Sequence, residues 1–165
     1  MKIKHPIQDV AKNLGLSKLR KFQNDAINSI LDHQDTMVIA PAGPGRLAIH
    51  QIPAIISGNK GKWALVIEPT LALIVDQITN LRKVGIAAET MTGRNDKKHD
   101  IILEKLCNRE LTVLYVTPEI LQKPTFRFVI RDKPPWLLVV DEAHCVLDWG
   151  FTFRSDYLKI KNLYS

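Results

Sequence analysis

Asp141, Glu142 and His144 are the residues whose types and setting most strongly suggest chemistry, because they follow directly on an apolar run over 136–140. Carboxylates at the C-terminal end of a buried strand sit where ligands bind in open α/β sheets. An aspartate at such a position can hold magnesium through water. The adjacent glutamate can orient or deprotonate a water that attacks a terminal phosphate. Acidic residues also suit a helix N-terminus, where they meet the positive end of the dipole. A second group lies upstream, in Pro41-Ala42-Gly43-Pro44-Gly45-Arg46-Leu47. It follows an apolar run and precedes a helical pattern from Arg46 to about Ile52, the strand, Gly-rich turn and helix that a phosphate loop requires. Backbone N–H groups and the helix N-terminus would there face an anion. Read alone, the same residues also make a plain Gly/Pro turn.

Three positions depart from a working phosphate loop. Arg46 stands where a lysine is expected, and a planar guanidinium cannot imitate a compact ammonium between phosphates. Leu47 stands where a hydroxyl would ligate magnesium, and an isobutyl group offers no oxygen. Pro44 removes one N–H. These residues predict weak nucleotide binding and no hydrolysis.

The elements that must position these groups are legible as five short apolar runs, over 36–40, 63–68, 87–91, 112–117 and 136–141. Three of them, WALVIE, TVLYVT and WLLVVD, are almost continuously apolar, as in strands buried on both faces of a parallel sheet. Helical spacing separates them: Phe22, Ala26, Ile27, Ile30 and Leu31; then Leu71, Ile74, Val75, Ile78 and Leu81, with Gly85 as a stop; more weakly Ile101, Ile102, Lys105 and Leu106. Alternating strands and helices predict an α/β fold with a mostly parallel sheet and helices on both faces. One domain over residues 1–165 is expected, with 1–31 a helical leading segment.

The 165 residues carry a net charge of +6 and 45% hydrophobic residues. That balance excludes disorder, and the basic charge favours polyanions or is a solvated surface. Cys107 and Cys145 fit no disulfide framework or zinc pattern and read as two buried thiols. No stretch reaches the length of a membrane span, and no signal peptide is visible at the start. His33, His50 and His99 read as surface residues, Trp63 as core or rim, and Lys97 and Lys98 after Arg94 as a solvated loop.

Several motifs together resemble the DEAH-containing helicases, and among them the RecQ family, over roughly residues 19–163. Leu19-Arg20-Lys21-Phe22-Gln23 resembles the adenine-reading motif, with Arg20 and Gln23 at its base contacts. Gln51-Ile52-Pro53-Ala54 matches the segment after the phosphate loop. Pro69, Leu73, Asp76 and Gln77 match a motif beside single-stranded DNA, and Leu114-Tyr115-Val116-Thr117-Pro118-Glu119 another. Asp141-Glu142-Ala143-His144-Cys145 followed by Trp149-Gly150 is the most specific of these. The segment from Trp149 through Phe151, Thr152 and Phe153 to Arg154 resembles the aromatic-rich loop that senses single-stranded DNA, though Phe151 and Thr152 replace its usual His and Asp; it could equally be a core cluster.

The resemblance implies a RecA-like lobe, without the family's last strand and second lobe. ATP and Mg2+ are the implied cofactors, both held weakly or not at all. It assigns ATP contacts to Arg20, Gln23, Ala42, Gly43, Gly45, Arg46 and Leu47, catalysis to Glu142, Asp141 and His144, and water-mediated magnesium to Asp141. It assigns nucleic-acid contacts to Pro69, Asp76, Gln77, Thr117, Pro118, Glu119, Trp149, Phe151, Phe153 and Arg154. Single-stranded or partly duplex DNA is the expected partner, with a second lobe or an intact helicase beside it. A monomer in the cytoplasm, on the nucleoid, or in a nucleus follows. The alternative is an inactive lobe that serves as an interaction module.

Overall fold

The continuous apolar runs form the sheet. A computed structural model describes residues 6–40, 45–93 and 95–143. Along the chain come α1 (Pro6–Asn13), α2 (Lys21–Leu31), α3 (Gly45–Gly58), β1 (Ala64–Ile67), α4 (Leu71–Lys83), β2 (Ala88–Met91), α5 (Asp96–Cys107), β3 (Val113–Val116), a 3-10 turn (Pro118–Gln122), α6 (Pro124–Asp132) and β4 (Leu137–Val140). The strands lie in the order β2-β3-β1-β4, and every pair is parallel.

Side chains alternate across the sheet, so each face takes its own helices. Ala64, Val66, Val113 and Tyr115 pack with Ile74, Ile78 and Leu81 of α4 and with Ala54 and Ile55 of α3. Leu65, Ile67, Leu114 and Val116 pack with Ile102, Leu103 and Leu106 of α5 and with Phe126 and Ile130 of α6. A third cluster, built on Ile7, Ala11, Leu19, Ile27, Ala48 and Ile52, ties α1 and α2 to α3. Gly85 ends α4 as expected. Its φ of 79° lets the Ile86 amide donate to the Leu81 carbonyl, closing the helix C-terminus. No described helix is long and apolar enough to cross a membrane.

Four expectations are corrected. Residues 36–40 are not a strand: Met37 and Ile39 are 89% and 93% exposed. The Thr36 hydroxyl instead bonds Ser29 Oγ and the Gln34 carbonyl, which pins the segment to the end of α2. A cleft of about 490 Å3 separates it from β4, so its backbone finds no ladder. Cys107 is exposed rather than buried, being on the outer side of the last turn of α5; Cys145 lies outside the described residues. His50 and His99 are buried. His50 packs edge-on against Tyr115, and His99 reaches the Thr92 carbonyl and Lys123 Nζ. The helical pattern read as ending near Ile52 continues through Pro53 to Gly58.

Candidate nucleotide site

Because all four strands run the same way, their last residues end in one row. The register pairs Ile67 with Val116 and Val140, and Met91 with Val116. The next residues along each strand are therefore Glu68, Thr92, Thr117 and Asp141, side by side at the C-terminal edge. α3 begins at Gly45 and brings Arg46 to this edge from the other side.

The centre of the site is an ionic clasp. Arg46 Nη2 donates to Glu142 Oε1, and Arg46 Nη1 lies 3.8 Å from Asp141 Oδ1. The bond to Glu142 raises the guanidinium pKa against the lowering effect of burial, so Arg46 stays charged. Glu142 sits in the left-handed region at φ 50°, a strained conformation for a side-chain-bearing residue, while its amide donates to Asp141 Oδ1 at 2.8 Å. Leu47 adds no oxygen. A magnesium ion needs oxygen ligands in near-octahedral array. With a cation already bonded to the acidic pair and an isobutyl group at the hydroxyl position, these residues do not fit it.

Glu68 is the functional candidate that sequence reasoning missed. It is fully buried, accepts from the Thr70 amide at 2.9 Å, and its Oε2 has no partner among the described residues. Burial, with smaller contributions from the Asp141 and Glu142 charges and against the Thr70 amide, pushes its pKa up to about 7. The signal was available: Glu68 follows ALVI just as Asp141 follows LLVV.

Behind the clasp runs a buried polar seam. His50 Nε2 and Gln51 Nε2 both approach Tyr115 Oη, at 3.4 and 3.3 Å. Burial holds Tyr115 above its ordinary pKa. Burial drives the pKa of His50 down to about 4 despite the raising effect of the Asp141 charge.

The other expected site residues are distributed as follows. Gln23 is buried beside the start of α3. Its Oε1 accepts from the Arg20 amide and its Nε2 donates to the Gly45 carbonyl, each at 2.6 Å. A Cβ on Gly45 would lie 2.6 Å from Gln23 Nε2, so a side chain there would push the Gln23 amide from its place. Pro69, Gln77, Thr117 and Pro118 are buried near the C-terminal edge, whereas Asp76 and Glu119 are exposed. Thr117 Oγ1 donates to Glu119. Arg94, Ala42, Gly43 and Pro44, and His144, Trp149, Phe151, Thr152, Phe153 and Arg154, lie outside the described residues.

Glu68 and His50 make opposite contributions to the pH dependence of stability. Glu68 rises from an ordinary 4.5 to about 7, so between those values the folded state holds a proton the unfolded state lacks, and stability falls as pH rises. His50 drops from 6.5 to about 4, so there the unfolded state holds the extra proton, and stability falls as pH falls. In the shared window the two offset. Glu68→Gln removes one side of the balance. The variant is expected to lose stability on acidification from pH 6.5 to pH 4.5 more steeply than the parent, in urea unfolding at the two pH values. Parallel losses in parent and variant refute it.

The parallel sheet with helices on both faces, and a Gly-led helix facing a strand-end carboxylate pair, define a RecA-like lobe. The DEAD/DEAH box helicase family matches residues 20–164, and the chain belongs to it. Its relatives include the "ATP-dependent DNA helicase Q-like 2" of Arabidopsis thaliana, 37% identical over 94% of this chain and 22% of that protein. The "ATP-dependent DNA helicase RecQ" of Haemophilus influenzae is 32% identical over 90% of this chain and 24% of its own length. The RecQ resemblance read from the motifs therefore holds, and the chain spans about a quarter of these relatives' length. Among solved structures, a hypothetical ATP-dependent RNA helicase from Sulfolobus tokodaii shares the fold with a TM-score of 0.66 at 21% identity, over 92% of this chain and 44% of its own. The DUF1998 helicase MrfA, solved bound to DNA and AMPPNP, does so with a TM-score of 0.65 at 19% identity, over 86% of this chain and 21% of its own.

Proposed function

We propose that residues 1–165 are the N-terminal ATP-binding lobe of a RecQ-like DNA helicase, with 1–31 a leading segment. In this reading the lobe holds ATP weakly, contacts single-stranded nucleic acid, and neither hydrolyses ATP nor unwinds DNA alone. The observation that carries it is the convergence of Arg46, Asp141 and Glu142 at the sheet's C-terminal edge, where α/β sheets bind ligands.

The phosphate chain lies at Gly45 and Arg46, with Ala42, Gly43 and Leu47 along the loop and Arg20 and Gln23 on the base side. Asp141, Glu142 and His144 flank the terminal phosphate. With its oxygen engaged by a guanidinium, Glu142 is a poor base for a water, which accounts for the absence of turnover. Pro69, Asp76, Gln77, Thr117, Pro118 and Glu119 form the nucleic-acid side. Trp149, Phe151, Phe153 and Arg154 supply stacking worth roughly 1–3 kcal/mol per base. The partner is single-stranded or partly duplex DNA, together with a second lobe or an intact helicase, in the compartment that holds the DNA. The same clasp favours a second reading, an inactive lobe that acts as an interaction module.

The test is ATP turnover with and without single-stranded DNA. No DNA-stimulated rate above background is expected. A steady rate of about 1 per second, ordinary for phosphoryl transfer, that disappears in Glu142→Gln overturns the inactivity. In parallel, Trp149→Ala and Phe151→Ala are expected to weaken DNA binding without changing its salt slope, and Arg154→Ala to lower both. Normal binding with reduced melting temperature assigns the aromatic segment to packing instead.

A further inference from the structure

An arginine at the head of a phosphate-facing helix normally has its whole fork available to an anion. Here Nη2 is bonded to Glu142 and Nη1 faces Asp141, while Nε is buried without a partner among the described residues. The three side chains carry one positive and two negative charges, and the positive end of α3 lies beside them. A divalent cation approaching Asp141 and Glu142 must break a charge-assisted hydrogen bond and then sit close to a guanidinium. It gains no hydroxyl from Leu47. An anionic phosphate oxygen has no cation to displace there, and it gains the positive helix N-terminus.

We propose that Arg46 is a tethered counter-ion that takes the place of a divalent cation, so that the site accepts a nucleotide's phosphate chain as the metal-free anion and magnesium opposes binding. This rests on the reading of the edge as a nucleotide site and adds to it the ionic form of the ligand. Acidic side chains that would ordinarily repel the phosphates are partly offset from within the chain, and the offsetting group is covalently attached. Magnesium in solution then acts chiefly by masking the charge of ATP that the site attracts.

Two readouts separate the clasp from the nucleotide. The first uses magnesium alone and follows thermal unfolding. The parent is expected to melt at the same temperature with and without millimolar magnesium, whereas Arg46→Ala, which lacks the cation beside the acidic pair, gains a magnesium-dependent rise. The second is calorimetric titration of ATP in EDTA and in magnesium. The parent is expected to bind at least as tightly in EDTA. Glu142→Ala, which removes the acceptor and releases the guanidinium, is expected to bind metal-free ATP several-fold tighter, and Arg46→Ala to lose about tenfold. A parent stabilised by magnesium alone, or binding ATP about tenfold tighter in magnesium, overturns the counter-ion role while leaving the nucleotide site standing. No heat with ATP in either buffer, beside an intact melting curve, removes the nucleotide site and the inference with it.

Discussion

Arg46→Lys combined with Leu47→Ser is expected to bind ATP in magnesium about tenfold tighter than the parent, and to lose most of that gain in EDTA. The serine supplies the oxygen that Leu47 lacks, and a lysine is a compact point charge that cannot hold a carboxylate as a two-pronged fork does. Weakening the bond to Glu142 lowers the barrier to a metal beside it. Each single change is expected to fall short. Leu47→Ser leaves the clasp shut, and Arg46→Lys leaves the magnesium shell incomplete. Calorimetry on the four proteins measures the coupling directly. A double variant that binds like its parent places the block at Pro44.

Phe126→Ala is expected to cost about 3–5 kcal/mol, the range for emptying a fully buried aromatic site. Phe126 has no exposed surface and packs with Ile120, Leu121 and Ile130 beneath Leu114 and Val116. It is the main anchor of α6, whose other face carries an exposed Phe128. Such a loss is a large fraction of a typical domain's 5–15 kcal/mol. Urea unfolding at neutral pH reads it. A change below about 1 kcal/mol would mean that the cavity collapses without penalty.

The sheet was readable because ALVI, VLYV and LLVV are apolar at every position, as suits a two-sided sheet; ALVI and VLYV are buried throughout, whereas LLVV is half-buried at every position. TMVIA over 36–40 has the same composition, yet it is not a strand. Composition reports that a segment can pair; whether an edge lies within reach depends on tertiary placement, and here a cleft lies between the segment and β4. α6 went unread although Phe126, Val129 and Ile130 share one helical face and Pro124 stands in its first turn; the exposed Phe128 blurs that face. His50 and His99 were misread because burial of a histidine depends on a partner elsewhere in the chain, here Tyr115 and Lys123. The acidic pair and the arginine were each identified as site residues. Their bond was invisible, since it joins positions 96 residues apart.

The strand order also governs the sequence of events in which the molecule assembles. β1 is one of the two inner strands, flanked by β3 and β4, both of which come after it in the chain. As the polypeptide is synthesised, α1, α2 and α3 can gather around Ile27, Ala48 and Ile52 while β1 still has no neighbour. Its four apolar residues stay unpaired until Val113–Val116 emerges, and its second side until Leu137–Val140 does. Topologies dominated by such distant pairings fold slowly, because chain closure must precede the contacts that reward it. The nascent chain therefore carries an unpaired ALVI segment until β3 has been made, the kind of sticky intermediate that chaperones shield.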